Sequence, residues 1–194
     1  MQANKQQNLL RLVESGLMLA MATVLSMVKV LDLPYGGSIT AFSALPILLV
    51  AYRHGIWQGL VTACAHSLIQ LMLGAGALSY ATSATAAVVI VVLDYILAFT
   101  VLGLAGIFRK KQFWGNVIGT VTVCLLRFLI HFAAGIVLWA NLDEFVAFGE
   151  SFVNRPVLYS LLYNGSYMLP EAAITVVAAI VLLKIPQFKR LIKK

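Results

Sequence analysis

Residues 123–140 read VCLLRFLIHFAAGIVLWA, and this stretch decides the class of the chain. It is apolar enough to lie in hydrocarbon, yet it carries Arg127, His131 and Trp139. Arg127, His131, Gly135 and Trp139 step by four, so a helix puts them on one slowly drifting face. An ionisable side chain inside hydrocarbon costs at least about 2.5–3.5 kcal/mol on insertion scales, so it faces a partner, a cavity or a ligand.

The rest of the chain agrees with a membrane setting. It has 194 residues, 61% hydrophobic and 11% charged, and a mean hydropathy of +0.94. A soluble domain of this length has no core large enough to bury so much apolar side chain. The composition points to a single all-α integral membrane domain, residues 1–194. A formal net charge of +7 could suit nucleic acid. Here, however, Lys and Arg sit in short clusters between apolar spans, the pattern of a positive-inside membrane protein, so a lipid bilayer is expected and nucleic acid is not. Cys64 and Cys124 lie inside apolar spans and read as small hydrophobes rather than a disulfide or metal pair. No cleavable signal peptide is expected, because the first apolar run continues as a span.

Six spans are expected, at about residues 12–30, 39–52, 56–73, 81–107, 115–140 and 156–184. Met1–Gln7 reads as a frayed polar tail. Asp32–Ser38, with Pro34 and the Gly36–Gly37 pair, reads as a turn, and Gly74–Ser79 as a loop. Span two is short and contains Pro46, and residues 141–155 read as an amphipathic surface segment. With six spans, Arg11, Arg53, Arg109–Lys111 and the C-terminal lysines fall on one side, which puts both termini in the cytoplasm. Small residues on span one, Gly16, Ala20, Ala22 and Ser26, let another helix approach, either inside the bundle or from a partner.

Asp94, Arg127 and Glu171 each fall roughly a dozen residues into their spans, about 20 Å deep and so near the midplane. Arg127 can pair with Glu171 or with Asp94; a structural pair gluing helices is the ordinary reading. Farther out lie His131, Trp139, Tyr159, Tyr163 and Asn164, with Tyr159, Tyr163 and Tyr167 stepping by four. Aromatic faces with a carboxylate suit a flat, cationic heteroaromatic ligand. Trp139 and Tyr159 also fit an interfacial aromatic belt, as does Tyr35 in the first loop, which reads either as an anchor or as a lid. Two acids at mid-depth face one fixed cation, a balance that a cationic ligand, a protonated carboxyl or a protonated His131 would each restore. No phosphate-binding glycine loop, zinc-binding helix motif, Cys/His cluster or nucleophile–base set is present, so neither an enzyme nor a cofactor is expected. A small intramembrane enzyme or scaffold, with Asp94, Arg127, His131 and Glu171 as a proton relay, is the reading from another class.

Several segments resemble the thiamine-binding S-components of energy-coupling factor (ECF) transporters. They are Leu33–Thr40 (LPYGGSIT), Tyr52–Gly55 (YRHG), Leu93–Phe99 (LDYILAF), Arg127–His131 (RFLIH) with Trp139, and Leu158–Glu171 (LYSLLYNGSYMLPE). The resemblance implies six membrane helices with both termini inside a bacterial plasma membrane, and capture of thiamine from outside. It also implies uptake driven by a transmembrane coupling subunit and two ATPases, docked on span one at Gly16, Ala20 and Ala22. By the same resemblance, His131 and Trp139 would flank the thiazolium ring, and Tyr159 and Asn164 would hydrogen-bond the aminopyrimidine. Asp94 stands at the family's acidic position on span four, where it would engage the pyrimidine. Tyr35 and Tyr80 are candidates for the aromatic residues near the first loop. Another vitamin or a thiamine precursor is the alternative ligand within this architecture.

Overall fold

The computed structural model describes residues 2–33, 36–138, 146–147 and 149–192. The chain runs α1 (Gln2–Met27), β1 (Lys29–Asp32), β2 (Ser38–Thr40), α2 (Leu45–His54) and α3 (Ile56–Leu73), then a 3-10 turn at Ala75–Tyr80. A mixed helix follows: α4 (Ala84–Val89), a π-helical stretch (Ile90–Leu97), α5 (Ala98–Thr100) and a 3-10 stretch (Val101–Lys111). Then come α6 (Gln112–Leu138), the short pair β3 (Val146–Ala147) and β4 (Glu150–Ser151), α7 (Pro156–Lys184) and α8 (Pro186–Ile192).

Among the described residues, four segments are long and apolar enough to cross a membrane: Lys5–Met27, Ile56–Leu73, Ala84–Leu138 and Pro156–Lys184. The third has 55 residues, far more than the roughly 20 that one crossing needs. It folds back on itself, since α6 packs along α4, the π-helical stretch and the 3-10 stretch. The reversal falls at Gln112, whose φ is 52°, between the expected spans 81–107 and 115–140. Large apolar side chains point outward along the helices; Leu12, Leu17 and Val24 of α1 are 66%, 62% and 61% exposed. In hydrocarbon that exposure carries no penalty.

Some boundaries differ from the sequence reading. α1 starts at Gln2, inside the expected frayed tail, and stops at Met27 rather than residue 30. β-branched Val28 and Val30 flank Lys29, and the Gly36–Gly37 turn lets the chain double back, so β1 pairs antiparallel with β2. Gly36 takes a φ of 96°, which suits glycine. α2 has only ten residues, because Pro46 sits in its first turn instead of inside a longer span. Ala22 is fully buried, in the core with Ile47, Leu48 and Tyr52. Of the three small residues expected on a docking face, only Gly16 and Ala20 are exposed. The expected surface segment at 141–155 lies largely outside the described residues.

Small residues and paired polar groups hold the helices. A Cβ on Gly103 would stand 2.5 Å from the Leu60 Cα, so only glycine lets the 3-10 stretch meet α3 this closely. At one end of the bundle Glu14 of α1 accepts from Arg53 Nη2 (2.6 Å) and lies 2.7 Å from His54 Nε2. Arg109 Nη1 donates to the Arg53 carbonyl at 3.4 Å, which brings two basic turns to that same end. Higher up α1, the Gln70 amide donates to Ser26 Oγ at 2.7 Å. Between α6 and α7, Arg127 Nη1 lies 3.6 Å from Glu171 Oε1.

Two outcomes follow from this packing. Gly103→Leu should abolish the monodisperse folded peak in detergent size-exclusion chromatography, whereas Gly16→Ala, where a Cβ meets nothing within 4 Å, should leave it unchanged. Arg127→Met should lower stability by about 3–5 kcal/mol, because it strands Glu171, and Arg127→Met with Glu171→Met should recover most of that loss; thermal unfolding in detergent reads both.

Candidate ligand-binding cavity

One cavity of about 420 Å³ opens between the hairpin, α3, the π-helical stretch, α6 and α7. That volume is within the usual range for a small-molecule site, about 300–1,000 Å³. α6 contributes Arg127, His131 and Gly135, three of the residues that step by four in the opening stretch. α7 contributes Tyr163, Tyr167 and Glu171, again stepping by four, with Asn164 beside them.

The wall opposite is set by irregular backbone. In a π-helix the hydrogen bonds run to the fifth residue, which widens the turn and re-aims its side chains. Asp94 and Tyr95 fall in that stretch and both line the cavity. The Tyr95 hydroxyl donates to the Gly74 carbonyl at 2.8 Å, tying the π-helical stretch to the end of α3. Asp94 Oδ1 lies 2.9 Å from His131 Nδ1, so the carboxylate and the imidazole orient one another across the cavity.

The inner end carries the second charged pair. Glu171 Oε1 accepts from Thr40 Oγ1 at 3.0 Å, and Thr40 and Ser43 share a hydrogen bond of 2.6 Å. The Arg127 guanidinium also stands 4.5 Å from the centre of the Phe99 ring, a cation–π placement. At the other end the hairpin is closed down on α7: the Gly37 amide donates to the Tyr163 hydroxyl at 2.9 Å. A Cβ at Gly37 would stand 2.7 Å from that oxygen, so the approach requires glycine.

The residues singled out from sequence take different places. Asp94, His131, Asn164 and Tyr80 line the cavity. Asn164 is largely engaged within the protein. Its Nδ2 donates to the Ser160 carbonyl (3.0 Å) and Ser160 Oγ (3.1 Å), and its Oδ1 accepts from the Tyr167 hydroxyl (2.9 Å). Tyr159 is 1% exposed and stands behind the lining, stacked on Tyr163 at 5.5 Å between ring centres. Trp139 and Tyr35 lie outside the described residues. Lining residues that sequence reasoning did not assign to the site include Tyr167, Tyr95, Phe99, Gln70 and Thr40. Tyr159, Tyr163, Tyr167 and Glu171 all step by four, so the signal that marks Tyr167 as a lining residue is its place one turn from Glu171.

Among the charged side chains of the cavity, Asp94 and Glu171 are acids and Arg127 is the buried cation, while Lys29 at the rim is balanced by Asp32. Two carboxylates thus face one guanidinium, with the His131 imidazole set against Asp94. The arrangement can therefore hold a flat monocation between aromatic walls, with hydrogen-bonding groups at both ends.

The comparisons with known proteins agree with this chemistry. Residues 12–190 match the family described as thiamine transporter protein. The thiamine transporter ThiT of Bacillus subtilis (strain 168) is 32% identical over 192 residues, covering 92% of this chain and 91% of the relative. The thiamine transporter ThiT of Lacticaseibacillus paracasei is 28% identical, with 95% and 91% covered. The solved structure of ThiT from Listeria monocytogenes superposes with a TM-score of 0.71 at 22% identity, over 94% of this chain and 98% of that one, and shares the fold. With a helical membrane architecture, a cavity fit for a small cation and a match over nearly its whole length, the chain belongs to the thiamine transporter family.

Proposed function

We propose that this protein is the substrate-capturing membrane subunit of an ECF-type transporter, binding thiamine at the outer side of the cell membrane. The observation that carries the reading is the cavity itself. It is lined by tyrosines, holds the Asp94–His131 pair, and carries two carboxylates, Asp94 and Glu171, against the one guanidinium of Arg127. Thiamine is a monocation made of two flat rings joined by a methylene, a cationic thiazolium and a neutral hydrogen-bonding aminopyrimidine, and it matches these features. In this reading His131 and Trp139 would flank the thiazolium, Asp94 would supply the acidic contact, and Asn164, Tyr159, Tyr35 and Tyr80 would complete the set of ligand-binding residues.

Six spans with both termini cytoplasmic fit the architecture. The 55-residue helical run folds back and supplies two crossings. α2 is short and pairs with α3 across Gly55, whose φ of 92° makes the sharp turn. Arg53 and Arg109 meet at one end of the bundle, α8 with Lys189 and Arg190 packs against α2, and Glu14 holds α1 there. That clustering of basic turns supports a cytoplasmic face. ATP hydrolysis would come from partner subunits, one transmembrane coupling protein and two ATPases, docked on the exposed Gly16–Ala20 face of α1.

Calorimetric titration of thiamine into detergent-purified protein tests the reading. Saturable binding is expected, weakened by about 10- to 100-fold in Asp94→Asn, the range of one charge-assisted contact. His131→Ala should weaken it at least as much with the melting temperature little changed. The isolated pyrimidine half of thiamine should bind far more weakly than thiamine itself; equal affinity would point to a neutral precursor as the ligand. No binding of thiamine by the wild-type protein would contradict the proposal.

A further inference from the structure

Lys29 lines the outer end of the cavity from β1, and the functional reading gives it no role. Its ammonium is held by both carboxylate oxygens of Asp32, each at 3.0 Å. The two side chains are 44% and 56% exposed, and a pair this exposed contributes little to stability. In a cavity whose charge favours a cation, a lysine on the wall opposes the ligand. Asp32 cancels that opposition and leaves an ammonium that can change partner.

The surroundings suit such an exchange. Ser38 faces Asp32 across the hairpin, and Ser38, Thr82 and Tyr80 line the cavity with hydroxyls. The hairpin turn lies beside the Ala75–Tyr80 turn: a Cβ on Gly36 would stand 3.9 Å from the Ala77 Cβ. An anion here would keep part of its hydration. The same anion at the inner end would be desolvated beside Glu171, an expensive placement.

We propose that Lys29, released from Asp32, takes the phosphate of a ligand carrying a phosphate monoester, so that this rim sets how well free and phosphorylated ligand are told apart. The inference rests on the thiamine reading. Thiamine has a primary alcohol on a two-carbon arm of its cationic ring, and esterifying that alcohol tethers a phosphate within reach of the rim while the cation keeps its place. Lysine binds phosphate as a point charge, and Asp32 acts as an intramolecular competitor for it.

The test compares thiamine and thiamine monophosphate by titration calorimetry in wild type, Lys29→Met and Asp32→Asn, in detergent free of phospholipid. Lys29→Met should weaken the monophosphate at least fivefold relative to thiamine. Asp32→Asn should strengthen it at least twofold relative to thiamine. Thiamine affinity itself should move by no more than about threefold, down in Asp32→Asn and up in Lys29→Met, because the pair is about half exposed to solvent; retained thiamine binding shows that both variants are folded. Ratios that do not move, or that move in the same direction in the two variants, would overturn the proposal. Phosphatidylglycerol added to the micelles should leave the wild-type ratio unchanged; a monophosphate affinity that falls relative to thiamine there would mean that Lys29 serves a lipid headgroup instead. If wild-type protein bound no thiamine, the functional reading would fall, and this subsite with it.

Discussion

A charge in hydrocarbon must be partnered, and most of this structure can be read as the consequence. Arg127 sits about halfway along α6, where a lone guanidinium would be prohibitive. Glu171 answers it from α7, Thr40 answers Glu171 from β2, and Phe99 offers its ring face from α5. One side chain thus draws together four elements that are distant in sequence. The space these groups enclose cannot close to bare apolar packing, because their remaining hydrogen-bonding capacity has to face something polar. A cavity at mid-depth is the result, and its contents are dictated by the charges around it.

The helices reach this arrangement through backbone features that allow close approach or re-aim side chains. Glycine at 103 brings the 3-10 stretch against α3, and glycine at 37 brings the hairpin against the tyrosines of α7. The π-helical stretch turns Asp94 toward His131. A regular α-helix there would distribute Asp94 and Tyr95 differently around its axis. The ligand site is therefore as much a property of irregular backbone as of the side chains it presents.

Much of this was legible in the sequence, and the misses have physical reasons. The spacing of Arg127, His131 and Gly135 placed them on one face because a membrane helix this long is regular. The acid at 171 was legible as a partner because depth follows from residue count. Tyr159 could not be separated from Tyr163 and Tyr167 by spacing alone: all three drift around one face, and packing against Phe152 turns Tyr159 behind the lining. The hairpin was hidden because Val28–Leu31 continues the apolar run of α1; only pairing with Ser38–Thr40 makes it a strand. Ala22 looked like a docking residue on span one, but the helix rotation that exposes Gly16 and Ala20 turns it inward. The π-helical register of Ile90–Leu97 leaves no signal in the residues themselves.

The central claim is that buried charge selects a cation. It is tested most directly by comparing thiamine with its neutral thiophene isostere, in which carbon replaces the quaternary ring nitrogen while shape and the pyrimidine ring are kept. The account predicts that the wild-type protein binds thiamine at least about tenfold more tightly, the equivalent of ~1.4 kcal/mol, and that Asp94→Asn narrows the difference. Equal affinity for the two compounds would contradict it, and would mean that shape and hydrogen bonding alone define the site.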